Sequence, residues 1–201
     1  MRLLLALGVG VTIMSCGLLE TLRPGPTIAP LISAKFLTVR LFATDAGDAQ
    51  EKARLPVLRD ALAEALPTAW AGATGGRGQL ALRTDADIDV ELNGNSGTSV
   101  LTQHKLGGKI VSRTIRVHTM EGGRRLSVPE LVSTTLHELG HIWCCYGTAT
   151  DAGHWAGGSS NFSSVGLMSS PMVCQRSSNG ELTCPTLFSE RELAEMKLTS
   201  P

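Results

Sequence analysis

Two histidines and one glutamate in this chain are spaced so that they could bind and use a metal ion. His137, Glu138 and His141 form the pattern HExxH within the segment HELGH. Residues four apart on a helix lie on one face, so the two imidazoles can bind the same Zn²⁺ ion. The Glu138 carboxylate can then take a proton from a metal-activated water and return it to a leaving amine. The motif therefore predicts metal-assisted hydrolysis with Glu138 as the catalytic residue.

A catalytic zinc ion needs a third protein ligand and an open fourth position. The next histidine along the chain is His154, which we predict as the third ligand because of its residue type and its position. Asp151 is the next candidate, since a carboxylate oxygen also binds zinc. A further alternative takes the third ligand from the end of the chain, at Glu190 or Glu192.

HExxH also occurs by chance, so the structural context of the motif matters. Ser127 and Glu130 fit a capping box, in which each side chain satisfies a free backbone N–H at the start of a helix. An apolar stripe follows at helical spacing, formed by Val132, Leu136, Leu139 and Trp143. The sequence therefore predicts that the motif lies on a well-defined helix.

The elements that must position this helix follow from hydrophobic spacing. Strands are predicted at residues 36–42, 80–82, 86–92 and 109–119, and turns at 93–97 and 121–125. A helix is predicted within residues 46–66, with its regular part starting at Pro56 and ending before Pro67. Ser189 is predicted to cap a last helix over residues 190–198. This order favours an α+β fold with a mostly antiparallel or mixed sheet.

The N-terminal segment resembles an export signal. Met1 and Arg2 precede an apolar run over residues 3–14, which is shorter than the about 20 residues that span a bilayer. Residues 13–16 resemble a bacterial lipobox, in which Cys16 would carry a lipid; an ordinary secretory signal is the alternative. We predict a signal peptide at 1–16, a linker at 17–35, a catalytic domain at 36–201 and a location outside the cytoplasm.

Charge and cysteine content narrow the expected partners. The 18 basic and 18 acidic residues give zero net charge, which argues against a nucleic acid or an anionic membrane surface as a binding partner. We expect a monomer that meets a protein or peptide substrate, with membrane contact only through a lipid at Cys16.

Disulfides are expected in an oxidising compartment. Either Cys174 pairs with Cys184, or these two pair across with Cys144 and Cys145.

Further motifs resemble the metzincin clan of zinc metallopeptidases, in its matrixin-like branch. Residues 166–169 (GLMS) look like the turn that places a methionine, here Met168, beneath the metal. Residues 86–90 (ADIDV) are similar to a strand signature, and residues 187–193 resemble the terminal helix. The resemblance implies an α+β fold with a twisted mixed sheet packed on helices, an HExxH active-site helix and a Met-turn. It also implies a zinc endopeptidase whose substrate lies extended along an edge strand.

The sequence departs from the family pattern HExxHxxGxxH after the second histidine. Cys144 stands where the family has glycine and Gly147 where it has the third histidine, so we interpret residues 144–153 as an insertion before His154. Two other functions stay open. One is a catalytically inactive, zinc-containing envelope lipoprotein that acts as a binding module. The other is a structural envelope protein in which HExxH is accidental.

Overall fold

The computed structural model describes residues 32–144, 155–156, 166–170, 174–176, 178–180 and 182–198. The predicted signal peptide, most of the predicted linker, and the candidate ligands Asp151 and His154 lie outside the described residues. In the described part of the chain, no helix has both the length and the hydrophobicity that crossing a bilayer requires.

A mixed sheet of six strands forms the centre of the fold. Its strands are β1 (Phe36–Ala43), β2 (Gln79–Leu82), β3 (Ile88–Ser96), β4 (Val100–Leu106), β5 (Lys109–Glu121) and β6 (Arg124–Arg125). The order is β2-β1-β3-β5-β4, and β6 pairs with β5. The pairs β1–β2, β1–β3 and β3–β5 are parallel, whereas β4 and β6 run antiparallel to β5. The predicted mixed sheet is confirmed, and β4 is its antiparallel edge.

Three strands show the alternation expected when one face of a sheet is buried. Ile88, Val90 and Leu92 on β3 are fully buried, as are the central apolar residues of β1 and β5. The predicted turn at 93–97 is wrong over residues 93–96, because β3 continues through Ser96 beside β5. The strand β4 was not predicted, because its side chains are mostly exposed and show no hydrophobic periodicity.

The first helix, α1 (Ala49–Ala73), contradicts the predicted boundaries. Asp48 caps it, and it passes through both Pro56 and Pro67 instead of starting at one and stopping at the other. Proline weakens a helix by removing an N–H and crowding the preceding turn. Here the buried stripe continues on both sides of the prolines, so packing against the sheet outweighs that cost; the stripe comprises Leu55, Leu58, Leu62, Leu66 and Trp70.

The helix α2 (Val128–Gly140) begins at the predicted capping box of Ser127 and Glu130. It packs against α1 and β5, and a short helix, α3 (Glu190–Glu195), follows near the end of the chain with Ser189 as its cap. Two small strand pairs complete the described fold: β7 (Trp155–Ala156) with β8 (Ser169–Ser170), and β9 (Gln175–Arg176) with β10 (Leu182–Thr183). The molecule is therefore α+β, with a mixed sheet packed against helices.

Candidate metal centre

The three residues of the HExxH motif converge at the end of α2. His137 and Glu138 lie in its last turn, and His141 is its C-cap. One potential ligand atom from each residue lies within 4.8 Å of those of the other two. No other group of three such side chains meets this geometry among the residues that the structure describes. The imidazole rings stand at 90° with their centres 4.8 Å apart, so both can face one point.

The ring of His137 is held in a defined orientation. Its Nδ1 lies 2.6 Å from the backbone carbonyl oxygen of Leu167. A carbonyl oxygen only accepts, so Nδ1 carries the proton and the lone pair of the neutral ring is on Nε2. A histidine whose other nitrogen donates to a carbonyl is the usual arrangement of a metal ligand.

Glu138 is buried beside the two histidines, with 6% of its surface exposed. Burial raises the pKa of its carboxyl to about 7, although a hydrogen bond from the backbone N–H of Leu101 opposes the rise. Leu101 belongs to the edge strand β4. Glu138 therefore lies where the C-terminal end of α2 meets the edge strand of the sheet, and its pKa is close to neutrality. A carboxyl with such a pKa can both donate and accept a proton near neutral pH.

A turn at residues 167–168 supports the end of α2. Met168 is fully buried, and a side-chain carbon added at Gly140 would fall on its sulfur. The Leu167 N–H donates to the carbonyl of Leu187, and the Met168 N–H donates to Oε1 of Glu192 at 2.9 Å. Met168 thus packs directly beneath the last turn of the helix that carries His137 and Glu138.

The chain also returns to this turn at residue 155. Strand β7 pairs in parallel with β8, with Trp155 opposite Ser169. Ser169 directly follows Met168, so the backbone next to position 154 passes close to the turn beneath α2. His154 itself, like Asp151, lies outside the described residues.

A cleft of about 480 Å³ opens beside the motif. Its wall is formed by α2, by the ends of β5 and β6, by the connection after β3 and by Cys174; the lining side chains include His118, Glu121, Arg124, Glu130, His137 and Glu138. Arg124 Nη2 lies 2.7 Å from Glu130 Oε1, so part of the charge in the wall is paired. The cleft is large enough to receive a few residues of an extended chain.

The alternative ligands at the end of the chain and two further histidines do not belong to the histidine cluster. Glu190 is exposed and paired with Arg77, and Glu192 is engaged by the turn, so neither joins the histidine cluster. His104 is exposed on β4. His118 lies in the cleft wall, and its Nδ1 is 2.9 Å from the carbonyl of Asn95.

The cysteines pair in one of the two predicted ways. Cys174 is bonded to Cys184, which excludes cross-pairing of these two with Cys144 and Cys145. Cys144 is buried and also disulfide-bonded, with its partner outside the described residues. The Cys174–Cys184 bond joins residues 10 apart in the sequence, and Cys174 lines the cleft.

Three groups around the motif were not predicted in their observed roles: the Leu167 carbonyl, the Leu101 N–H and the Glu192 carboxylate, which was predicted only as an alternative zinc ligand. The first two are backbone groups, which leave no mark in the residue types. Glu192 did carry a signal, the capping box with Ser189, but that signal explains only half of its contacts. In comparisons with known proteins, the chain matches no protein-family model and no curated protein sequence.

Proposed function

We propose that this chain is a zinc-dependent endopeptidase that acts outside the cytoplasm. The observation that carries the proposal is the convergence of His137, Glu138 and His141 within 4.8 Å at the edge of a cleft. Two imidazoles beside a buried carboxylate are a donor set that suits zinc and leaves room for further ligands.

The residues present fit a zinc ion. The Nδ1 of His137 is committed to the Leu167 carbonyl, so its Nε2 is the nitrogen available to a metal. We assign His137, His141 and His154 as the zinc ligands. A zinc ion there would supply the Lewis acidity that brings water toward ionisation at neutral pH.

Glu138 is the proposed general base and acid. Its carboxylate accepts a proton from the attacking water and delivers it to the nitrogen of the departing amine. Because burial raises its pKa to about 7 in the metal-free protein, both protonation states are accessible near neutral pH. A purely structural zinc site has no need of such a group.

The assignment of His154 as third ligand draws support from the backbone. The pairing of Trp155 with Ser169 brings the chain next to the turn that holds Met168 and Leu167. Leu167 in turn contacts His137. Residue 155, the chain neighbour of His154, thus pairs with the strand that follows the turn contacting His137, whereas Glu190 and Glu192 are engaged elsewhere.

We further propose a metzincin-like active site, with residues 166–169 as the Met-turn. The buried Met168 beneath Gly140 supports this assignment. In this proposal a peptide substrate lies extended along β4, the edge strand whose Leu101 N–H already faces Glu138. Edge strands recognise extended peptides through backbone hydrogen bonds. The Cys174–Cys184 disulfide is compatible with an exported protein.

The test is hydrolysis of casein and of quenched peptides by the full chain, before and after zinc is removed with a chelator. We expect activity that is lost with zinc and restored on its return. Glu138→Gln should lower kcat by about 10²–10⁴-fold while zinc stays bound. The matched control is Glu64→Gln, an exposed carboxylate on α1 that does not line the cleft, which should leave activity intact. A zinc-loaded wild type without activity on any peptide would instead favour a binding module.

A further inference from the structure

The carboxylate of Glu192 lies at the centre of the turn that supports the motif. Glu192 is fully buried on α3, far along the chain from α2. Its Oε1 accepts from the Met168 N–H at 2.9 Å and its Oε2 accepts from the Ser189 N–H at 2.7 Å. One carboxylate therefore joins the start of α3 to the turn beneath the histidines.

The turn leaves room for this carboxylate only because residue 166 is glycine. A side-chain carbon at Gly166 would overlap the Glu192 carboxylate, with both oxygens in its way. The glycine is required by the close approach of Glu192 and not by its own backbone angles, which are not of the left-handed kind. Gly166, Met168 and Glu192 thus form one interlocked contact.

The same turn fixes the ring of His137. The Leu167 carbonyl accepts from His137 Nδ1, and residue 168 on its other side is fastened by Glu192. The Leu167 N–H is held by the Leu187 carbonyl, in the segment that leads into α3. The orientation of the Leu167 carbonyl therefore depends on groups supplied by α3 and the residues before it.

We propose that Glu192 is a positioning residue for the metal centre. It acts through the turn: the carboxylate holds Met168 N–H, the turn directs the Leu167 carbonyl at His137, and that carbonyl fixes the proton on Nδ1 and the lone pair on Nε2. The consequence for zinc affinity rests on the proposed function, whereas the effect on the histidine ring does not. Groups that orient a metal-ligating histidine typically change metal affinity by about 10–100-fold when they are removed.

The first experiment measures the ring of His137 in metal-free protein. Long-range ¹H–¹⁵N NMR correlations distinguish the two imidazole tautomers, and His137→Ala assigns the signal. We expect the Nδ1–H form in the wild type and a mixture of forms in Glu192→Ala. Gly166→Ala should give the same mixture, because its methyl group would overlap the Glu192 carboxylate and displace it.

Ser189→Ala is the matched control. It removes the hydroxyl that caps α3, while Glu192 and its bond to Met168 remain. We expect Ser189→Ala to lower stability and to leave the tautomer of His137 unchanged. Glu192→Gln keeps an acceptor for the Met168 N–H, so it should retain the wild-type tautomer. Gly166→Ala is the disruptive variant to measure if Glu192→Ala does not fold.

The second experiment measures zinc affinity by competition with a chelator. Glu192→Ala and Gly166→Ala should bind zinc about 10–100-fold more weakly than wild type, and Ser189→Ala within about twofold of it. An unchanged tautomer in both Glu192→Ala and Gly166→Ala would overturn the inference, as would equal weakening by Ser189→Ala. If the wild type binds no zinc but the tautomer changes as expected, the proposed function fails and the positioning role stands.

Discussion

The buried glutamates at the two ends of α2 have pKa values that are shifted in opposite directions. At the N-terminal end, burial alone would raise the pKa of Glu130, yet hydrogen bonds from Arg124 and Ser127 hold it below its usual value. At the C-terminal end, burial raises the pKa of Glu138 to about 7, and the single backbone N–H of Leu101 only partly opposes it. The first carboxylate fastens the helix to the sheet, whereas the second is left able to exchange a proton.

Glu51 extends the same contrast to the start of α1. It is fully buried, and it accepts hydrogen bonds from Thr119, Arg54 and Arg125. Although burial opposes them, these contacts together lower the pKa of Glu51. Arginine contacts therefore help to keep Glu51 and Glu130 ionised, whereas burial is the main cause of the pKa shift of Glu138 and no arginine contact contributes to it.

We expect the largest loss of stability from replacing Glu51, the buried carboxylate that two arginines contact. We expect Glu51→Gln to lower the free energy of unfolding by about 3 kcal/mol, because Arg54 and Arg125 lose a buried partner. Urea unfolding measures the loss, and zinc affinity in native buffer should be retained. Since the pKa of Glu51 is lowered by folding, its contribution is present above about pH 4.5 and fades as the pH falls below that value. A loss that persists undiminished in acid would argue against the ion pairs.

Glu138→Gln should raise the free energy of unfolding of the metal-free protein, whereas Glu51→Gln lowers it. A carboxyl whose pKa is raised by folding destabilises the protein once it must ionise, so stability falls as the pH rises from about 4.5 to about 7. We therefore expect the metal-free variant to be more stable than the metal-free wild type by about 2 kcal/mol at pH 7. The difference should shrink to near zero at pH 4.

Comparing the two proteins at each pH cancels the contributions of all other groups. Unfolding curves in chelator at several pH values are the measurement. A variant that is less stable than wild type at pH 7 would mean that Glu138 is a structural partner, like Glu51 and Glu130, and the contrast between the two ends of α2 would disappear.

We expect the smallest loss of stability from replacing Arg124, at the rim of the cleft. Arg124 is 55% exposed while its partner Glu130 is 7% exposed, and Glu130 keeps its contacts with Ser127 when Arg124 is replaced. Arg124→Gln should cost about 1 kcal/mol of stability, and less at high salt. Thermal unfolding at two ionic strengths checks this, and a cost as large as that of Glu51→Gln would show that Glu130 depends on arginine alone.

Local signals in the sequence predicted much of the framework. The capping box at Ser127 marks the start of α2, and alternating residues such as Val90 mark the buried strands, because both depend on neighbours in the chain. The HExxH spacing likewise brought His137 next to His141 through the geometry of one helix turn.

Long-range contacts account for what the sequence did not reveal. The helix α1 continues across Pro56 and Pro67 because its stripe packs on the sheet, which no local rule reports. The strand β4 exists through its pairing with β5, and its exposed residues carry no pattern. The link from Glu192 to the turn likewise joins segments that lie far apart in the chain.

We propose that the two imidazoles of α2 and the imidazole of His154 bind a single zinc ion. The direct measurement is the zinc content of purified protein, for wild type and for His137→Ala, His141→Ala and His154→Ala, with His104→Ala as control because His104 is exposed on β4. We predict one zinc ion per chain in the wild type and the control, and its loss in each of the other three variants. The proposed zinc site would be contradicted by wild-type protein without stoichiometric zinc, or by zinc that is retained after replacement of His137 or His141.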